Sequence, residues 1–557
     1  MRPPLGFGHV SDGETQAWRK RLGAYPVGDD AVEFRVWAPH ATEVCVRLGG
    51  TLHRLEPVGD GVFEELLSAS TGDDYWIILD GASVLPDPCT RFQPEGSDGP
   101  SRVVDMRRFE WSETDWVCPG LNELVLYELH VGSFSAEGTF DGVIPYLGRL
   151  RELGVTAIEL MPIASFAGDR NWGYDGVHLF APHRAYGEPA GLARLVDAAH
   201  REGLAVILDV VYNHVGLGAE ALAAFGPYFS ERGRTPWGPP FNFDGADSEP
   251  VREWIFQCAC QWVEDYRVDG FRLDAIWAMR DVSRTHVVSE LVERVRHVAD
   301  RPVLVTAEAD PSDPRLRADR LFWGIDAWWS DPFHHALHAV LTGERGGYYA
   351  PYGRVEDLAR AFEQAHDPQL VVYAQNHDQV GNRPRGDRLE PPIARLGAFC
   401  VLFSSFVPLL FMGEEYGERA PFPFFTDHPD EDFAGRVRRS RARYLRGLGF
   451  TAKAFDPQEP ETFACSRLDP EAGDVETVRL YRELIAVRRA LPPGDVIVFH
   501  DDNVLRVHRG AYELVCNFAA DAADVPTDRE DLVLETGGAR LECGRILLPA
   551  LAGAILR

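Results

Sequence analysis

The sequence predicts an α/β protein: a (β/α)8 TIM barrel carrying an N-terminal β-sandwich and a small C-terminal antiparallel β domain. Three observations carry that expectation. From about residue 124 to 491, near-continuous apolar runs alternate with amphipathic helical stretches, the pattern of a parallel sheet covered on both faces. Residues 21–110 hold short strand-like runs punctuated by Gly, Pro and Asp, as in a sandwich. After the break at Pro492-Pro493 the runs become strand-like again. A chain of 557 residues has room for two or three domains, and the expected divisions are 1–112, 113–491 and 492–557.

The elements follow in order. Residues 1–20 are polar and expected to be partly disordered, and the opening MRPPLGFGHV lacks the apolar stretch of a signal peptide. Sandwich strands are expected at 31–38 (AVEFRVWA), 43–48 (EVCVRL) and 75–79 (YWIIL). Seven barrel strands stand out, at 124–130 (LVLYELH), 155–161 (VTAIELM), 204–210 (LAVILDV), 268–274 (VDGFRLD), 303–308 (VLVTAE), 370–376 (LVVYAQN) and 406–412 (FVPLLFM). Closure needs an eighth, sought at 323–330. Helices are expected at 143–153, 191–203, 249–266 and 476–491. The segment 413–472, rich in Pro, Phe and Arg, reads as a long loop, and loops of that length are usually functional or variable. Strands at 496–500 (VIVFH) and 513–518 (ELVCNF) open the last domain.

Composition narrows the function. The net charge of −30 repels nucleic acid and anionic membranes but leaves a neutral ligand such as a sugar unaffected. Thirteen Trp suit carbohydrate stacking, although large cores use Trp as well. Nine Cys without a CxxC pair or zinc-like spacing read as reduced thiols. Cys258 and Cys260 point to different sides of one helix. No apolar run reaches the ~18 residues of a membrane span, so the cytoplasm is the expected compartment. A nucleotide cofactor is not expected, because neither GxGxxG after the first strand nor GxxxxGK[ST] occurs. A GxSxG nucleophile elbow is also missing.

In such a barrel the chemistry sits at the C-terminal ends of the strands. The third strand ends in Asp209 (DVVYNH), the fourth in Arg272 and Asp274 (GFRLDA), the fifth in Glu308 (VTAEAD), and the seventh in His377 and Asp378 (QNHDQVGN). One carboxylate at a strand end is as often a helix cap or a surface charge. Four strand ends converging on one mouth form a candidate site, because carboxylates are rarely buried unless paired. Cleaving an acetal needs a proton donor and a carboxylate beneath the anomeric carbon. Asp274 suits the nucleophile, since the strand period of two puts Arg272 on the same face to keep it ionised. Glu308 suits the acid/base, its pKa raised by neighbouring carboxylates. Asp378, His377 and His214 would hold sugar hydroxyls, while Asp209 would orient Arg272. A metal is the competing use of such a cluster, but no HExxH or DxDxDG spacing is present and Arg272 disfavours a cation. In NWGYDG, Tyr174 reads as a substrate contact and Trp172 as loop packing; Trp277 would line the leaving-group side, and Trp237 reads as a loop anchor.

DVVYNH, GFRLDA, the Glu of VTAEAD and the NHD of QNHDQVGN resemble the four short conserved regions of the α-amylase superfamily of glycoside hydrolases, in order and on the right strands. The resemblance implies a retaining mechanism with Asp274 as nucleophile, Glu308 as proton donor and Asp378 as transition-state stabiliser. It implies −1 subsite contacts from Tyr174 and His214. Segments 127–177, 225–238 and 333–350 are similar to the maltooligosyltrehalose trehalohydrolases. That likeness implies hydrolysis of the α-1,4 bond next to the trehalose unit of maltooligosyltrehalose, in sequence with a synthase that forms the trehalose end. It adds Asp331, His335, Gln379 and Asn382 as substrate-binding candidates. Three departures bear on specificity. Ordinary α-amylases carry Lys-His where this chain has Trp277 and Ala278, branching enzymes carry an acidic residue at Gln379, and trehalohydrolases often carry His at Trp277. A branching-type transglycosylase or an α-amylase-like endo-hydrolase on the same scaffold is the alternative expectation, and a non-catalytic glucan-binding barrel is a further one.

Overall fold

The computed structural model describes residues 16–112, 115–309, 323–364, 370–470, 473–494 and 496–557. Most of the polar opening, with its reading as disordered and leaderless, lies outside these residues. Of the rest of 1–20, Ala17–Arg19 form a 3-10 turn that buries Trp18.

Eight parallel strands close a barrel in chain order: β1 (Leu126–Leu129), β2 (Ala157–Leu160), β3 (Ala205–Val210), β4 (Gly270–Leu273), β5 (Leu304–Ala307), β6 (Ala327–Trp329), β7 (Leu370–Val372) and β8 (Val407–Phe411). Every strand residue is buried, because side chains fill the lumen on one face and helices cover the other. The expected eighth strand is therefore β6, only three residues long. Register fixes which side chains share the lumen. Glu128 pairs with Glu159 across β1 and β2, and Asp209, Arg272 and Thr306 pair in a row across β3, β4 and β5.

Two expectations need correction. The helix at 143–153 is interrupted: Phe140–Val143 is helical, Ile144–Tyr146 is a 3-10 turn, and Leu147–Leu153 resumes the helix. Pro145 has no N–H to donate there. The segment 413–472 is not simply a loop. It contains a 17-residue helix, Glu431–Gly447, started by Asp430, whose side chain accepts the Phe433 N–H at 2.6 Å. Pro460–Ala464 form a second, shorter helix. The other helices fall close to expectation, at Pro189–Arg201, Ser248–Tyr266 and Val475–Ala490.

Ahead of the barrel lie two antiparallel sheets. One orders its strands as 23–26, 32–37, 62–67 and 56–59; the other is built on 51–54, 44–48, 74–79 and 83–85. Their inward residues, among them Val32, Phe34, Val44 and Ile77, join the main apolar core. The first sheet's neighbourhood docks on the helix Ser248–Tyr266, where Gln257 Oε1 accepts the Leu22 N–H at 2.9 Å and Trp254 Nε1 donates to the Pro88 carbonyl at 3.2 Å. Behind the barrel, a five-stranded antiparallel sheet (497–500, 504–509, 512–517, 552–556, 532–536) faces a three-stranded one. Arg488 and Arg509 grip the turn before β8. Arg488 Nη1 donates to the carbonyls of Leu402 (3.0 Å) and Ser404 (2.7 Å), and Arg509 Nη1 to those of Phe403 (3.1 Å) and Ser404 (2.6 Å). All nine cysteines are free, and seven are buried. Among the described residues no helix is long and apolar enough to cross a membrane.

Candidate active site

The C-terminal strand ends open into a cavity of about 1030 Å³. Eleven of the candidates line it: Asp274, Glu308 and Asp378 with Tyr174, His214, Trp277, Asp331, His335, His377, Gln379 and Asn382. The other two, Asp209 and Arg272, stand behind its wall, with 2 % and 0 % exposure.

Arg272 is the hub. Its Nη1 donates to Asp209 at 3.0 and 2.9 Å and to Asp274 at 2.8 Å, and its Nη2 donates to Glu308. The guanidinium lies over the Trp329 ring at 4.4 Å. A single buried cation thus holds carboxyls from three consecutive strands, a planar fork suited to that task. Asp274 is fixed from the other side by Asn213, whose Nδ2 donates to its Oδ2 at 2.8 Å and to its carbonyl at 2.7 Å. The next residue, Ala275, takes a left-handed conformation (φ 38°). Such a conformation strains a non-glycine residue and turns the chain sharply past the carboxylate.

The three carboxyls reached by Arg272 differ in environment. Burial raises Glu308 to about 8, with Asp274, Asp378 and Asp331 adding to the rise and Arg272 opposing it. Its side chain still shows 28 % exposure to the cavity. Asp209 is raised to about 6 by burial despite Arg272, and it accepts a 2.5 Å hydrogen bond from the Tyr174 hydroxyl. A group held near 8 is protonated at neutral pH and can deliver a proton.

His377 is positioned from below. Its Nδ1 meets Glu128 Oε1 at 2.6 Å and its backbone N–H donates to Glu128 Oε2 at 2.8 Å, leaving Nε2 3.5 Å from Asp378. Burial lowers its pKa, but Glu128 and Asp378 outweigh that and leave it at about 9. Asp378 is held by Asn382, whose Nδ2 donates to Oδ1 at 2.9 Å. Arg441 Nη1 in turn donates to Asn382 Oδ1 at 2.6 Å. Asn382 is thus a brace for Asp378 as well as a lining residue. Gln379 Nε2 and the Tyr373 hydroxyl both donate to Asp331 Oδ1, at 3.0 and 2.7 Å. His335 stacks on Tyr348, with centroids 5.5 Å apart.

Aromatics shape the walls. Trp237, expected as a loop anchor, lines the cavity, stacks on His214 at 4.7 Å and approaches Trp277 to 5.5 Å. Both tryptophans are part-exposed, at 45 % and 37 %. Trp172 is buried as expected of loop packing, stacked on Phe422 and donating from Nε1 to the Pro423 carbonyl at 3.2 Å, with one edge on the cavity.

Sequence reasoning missed several groups. Glu128 and Asn213 lie inside the quoted segments, where the strand period of two and the neighbouring His214 were available signals. Phe433, Arg436, Arg441 and Tyr444 come from the helix Glu431–Gly447 and carry no motif; only a helical reading of that segment would have put them on one face. Among the described residues, no group of three or more His, Cys, Asp or Glu side chains is placed to hold a metal ion.

Comparison with known proteins agrees with this architecture. The alpha-amylase catalytic-domain family matches residues 102–225. A Saccharolobus solfataricus protein named malto-oligosyltrehalose trehalohydrolase is 42 % identical over 84 % of this chain and 86 % of its own length. A Rhizobium sp. protein of the same name is 39 % identical over 95 % and 98 %. A solved Salmonella typhimurium chain, provisionally named an alpha amylase, superposes with a TM-score of 0.87 at 34 % identity, covering 96 % of this chain and 99 % of that one. With that identity over that much of its length, the chain belongs to the malto-oligosyltrehalose trehalohydrolase family of α-amylase-type glycoside hydrolases.

Proposed function

We propose that this enzyme hydrolyses the α-1,4 glucosidic bond next to the terminal trehalose unit of maltooligosyltrehalose and releases trehalose with retention of configuration. The observation that carries the reading is the single guanidinium of Arg272 shared by Asp274 and Glu308 at the mouth of an open, aromatic-walled cavity. Two carboxyls within reach of one fork fit the short spacing of retaining enzymes, ~5–5.5 Å.

Asp274, paired with Arg272 and aimed by Asn213, attacks the anomeric carbon. Glu308, protonated at neutral pH, donates to the departing glycosidic oxygen. The glycosyl ester on Asp274 is then opened by a water whose proton returns to Glu308. Asp378, steadied by Asn382 and His377, stabilises the oxocarbenium-like transition state. Tyr174, His214 and His377 receive the sugar of the −1 subsite, while Asp331, His335 and Gln379 bind further along the cavity. Trp277 lines the leaving-group side, where trehalose departs. Asp209 and Arg272 act through the carboxyls they position. The cytoplasm is the proposed compartment and a synthase that forms the trehalose end the proposed source of substrate, and the charge of −30 supports a neutral substrate rather than nucleic acid. Residues 1–112, 113–491 and 492–557 are the proposed domains.

The test is product analysis on maltotriosyltrehalose beside maltopentaose. The expected result is rapid release of free trehalose with little cleavage of maltopentaose, the newly formed reducing end appearing first as the α-anomer. Equal cleavage of both, or new α-1,6 branches, would transfer the site to the endo-hydrolase or branching alternative.

A further inference from the structure

Beneath the catalytic carboxyls the barrel floor carries two more. Glu128 on β1 and Glu159 on β2 are register partners and both are buried, at 1 % and 0 % exposure. Neighbouring strands lie ~4.8 Å apart, so these side chains share one small region of the lumen. Their surroundings differ completely. Glu128 has both oxygens engaged by His377. Among the described residues neither Oε1 nor Oε2 of Glu159 has a hydrogen-bond partner.

Among the described residues, the charged groups that act most strongly on Glu159 are Glu128 on β1, Asp209 on β3, Arg272 on β4 and His377 beyond β7. Arg272 and His377 are therefore the cations that act most strongly on Glu159 among the described residues, and both have other carboxyls to answer. Arg272 already contacts Asp209, Asp274 and Glu308. His377 already contacts Glu128 and Asp378. A further anion without a hydrogen bond would bear its full desolvation cost next to two like charges. A neutral carboxylic acid at the same place avoids most of that cost.

We propose that the two floor carboxyls divide the charge between them: Glu128 stands ionised against a doubly protonated His377, and Glu159 is a neutral carboxylic acid. Both are positioning residues. Together they hold the charge under the sugar-binding end of the site at a value that lets His377 donate and Glu308 keep its proton. The burial of Glu159, with Glu128 and Asp209 beside it, raises its pKa far above the ordinary carboxylate range. The competing arrangement has Glu159 ionised against Nε of Arg272, which also lacks a hydrogen-bond partner. The inference rests on the reading of Asp274, Glu308 and Asp378 as the reacting carboxyls.

The two arrangements predict opposite pH profiles. Under the proposal, Glu128→Gln removes the anion that supports His377, moves the alkaline limb of kcat/KM to lower pH, and lowers kcat/KM at the wild-type limb by ~10-fold or more. Glu159→Gln lowers kcat/KM by less than ~10-fold and leaves that limb in place. A limb that moves in Glu159→Gln, or stays put in Glu128→Gln, overturns the assignment. A second measurement needs no variant at Glu159. In the wild-type protein with 13C-labelled glutamate carboxyls, the infrared band of a protonated carboxylic acid persists at pH ~9.5, above the values of about 8 for Glu308 and Glu414. Its disappearance there would refute a neutral Glu159. Loss of hydrolysis in Glu308→Gln tests the catalytic reading separately and does not depend on either result.

Discussion

Two buried arginine sites, one at the mouth of the barrel and one at its outer wall, show what burying a charge can be for. Arg272 is surrounded by Asp209, Asp274, Glu308 and Tyr174, and its pKa stays raised even though burial works against it. Arg488 and Arg509 meet backbone carbonyls instead, and burial lowers them to about 9 and about 10. Carbonyls satisfy the guanidinium donors without answering the charge, which makes a clamp between the barrel and the C-terminal sheet. Carboxyls answer the charge and, in return, the cation holds back part of the rise that burial imposes on them. The first arrangement fixes geometry; the second also bears on protonation, which chemistry needs.

The sharpest way to test that contrast is at the carboxyls. Asp274→Asn should reduce turnover of maltotriosyltrehalose to background, and Glu308→Gln should lower kcat by ~10³-fold, with both variants keeping the wild-type melting temperature within a few degrees. Wild-type rates in either would break the assignment. Next, Arg272→Lys keeps the charge but loses the fork, so kcat/KM should fall by ~10²–10³-fold; a near-normal rate would mean that charge alone suffices. Because Glu308 must be protonated to donate, activity should fall as the pH rises through about 8. A kcat/KM profile flat to pH 10 would remove Glu308 from the acid role. At the clamp the expected effects are smaller and of another kind. Arg509→Ala should cost about 2 kcal/mol of stability and leave kcat unchanged.

Buried carboxyls without a cation contact offer the smallest effect. Glu414, near Gln375 and Tyr481, is raised to about 8 by burial. A folded-state pKa above the unfolded value of ~4.5 means its contribution to stability is fully present below that value and lost as the pH rises through about 8. Glu414→Gln removes that loss, so the drop in melting temperature between pH 5 and pH 9 should shrink by about 2 °C.

The residues that gather at the cavity were legible because barrel strands leave a strong periodic record and their polar ends interrupt it. Asp209, Arg272, Asp274 and Glu308 each follow a run of buried residues, so their placement needed only strand direction. β6 was faint because three residues flanked by Gly324 and Ser330 give no period to read. The helix Glu431–Gly447 was hidden for the opposite reason. Only Ala434 and Leu445 of its 17 residues are buried, so it lacks the apolar stripe by which amphipathic helices announce themselves. Its function as a cavity wall depends on packing across a gap, which local sequence does not record. Pro145 hid the reverse feature, an interruption within a helical pattern.

The contact from Arg441 through Asn382 to Asp378 ties one cavity carboxyl to a helix that lies outside the barrel and packs on it sparsely. Heat loosens such a rim element before it melts a closed sheet. The enzyme should therefore fall silent on warming while its barrel is still folded, and should recover on cooling, because what has slipped is a fastening rather than the frame.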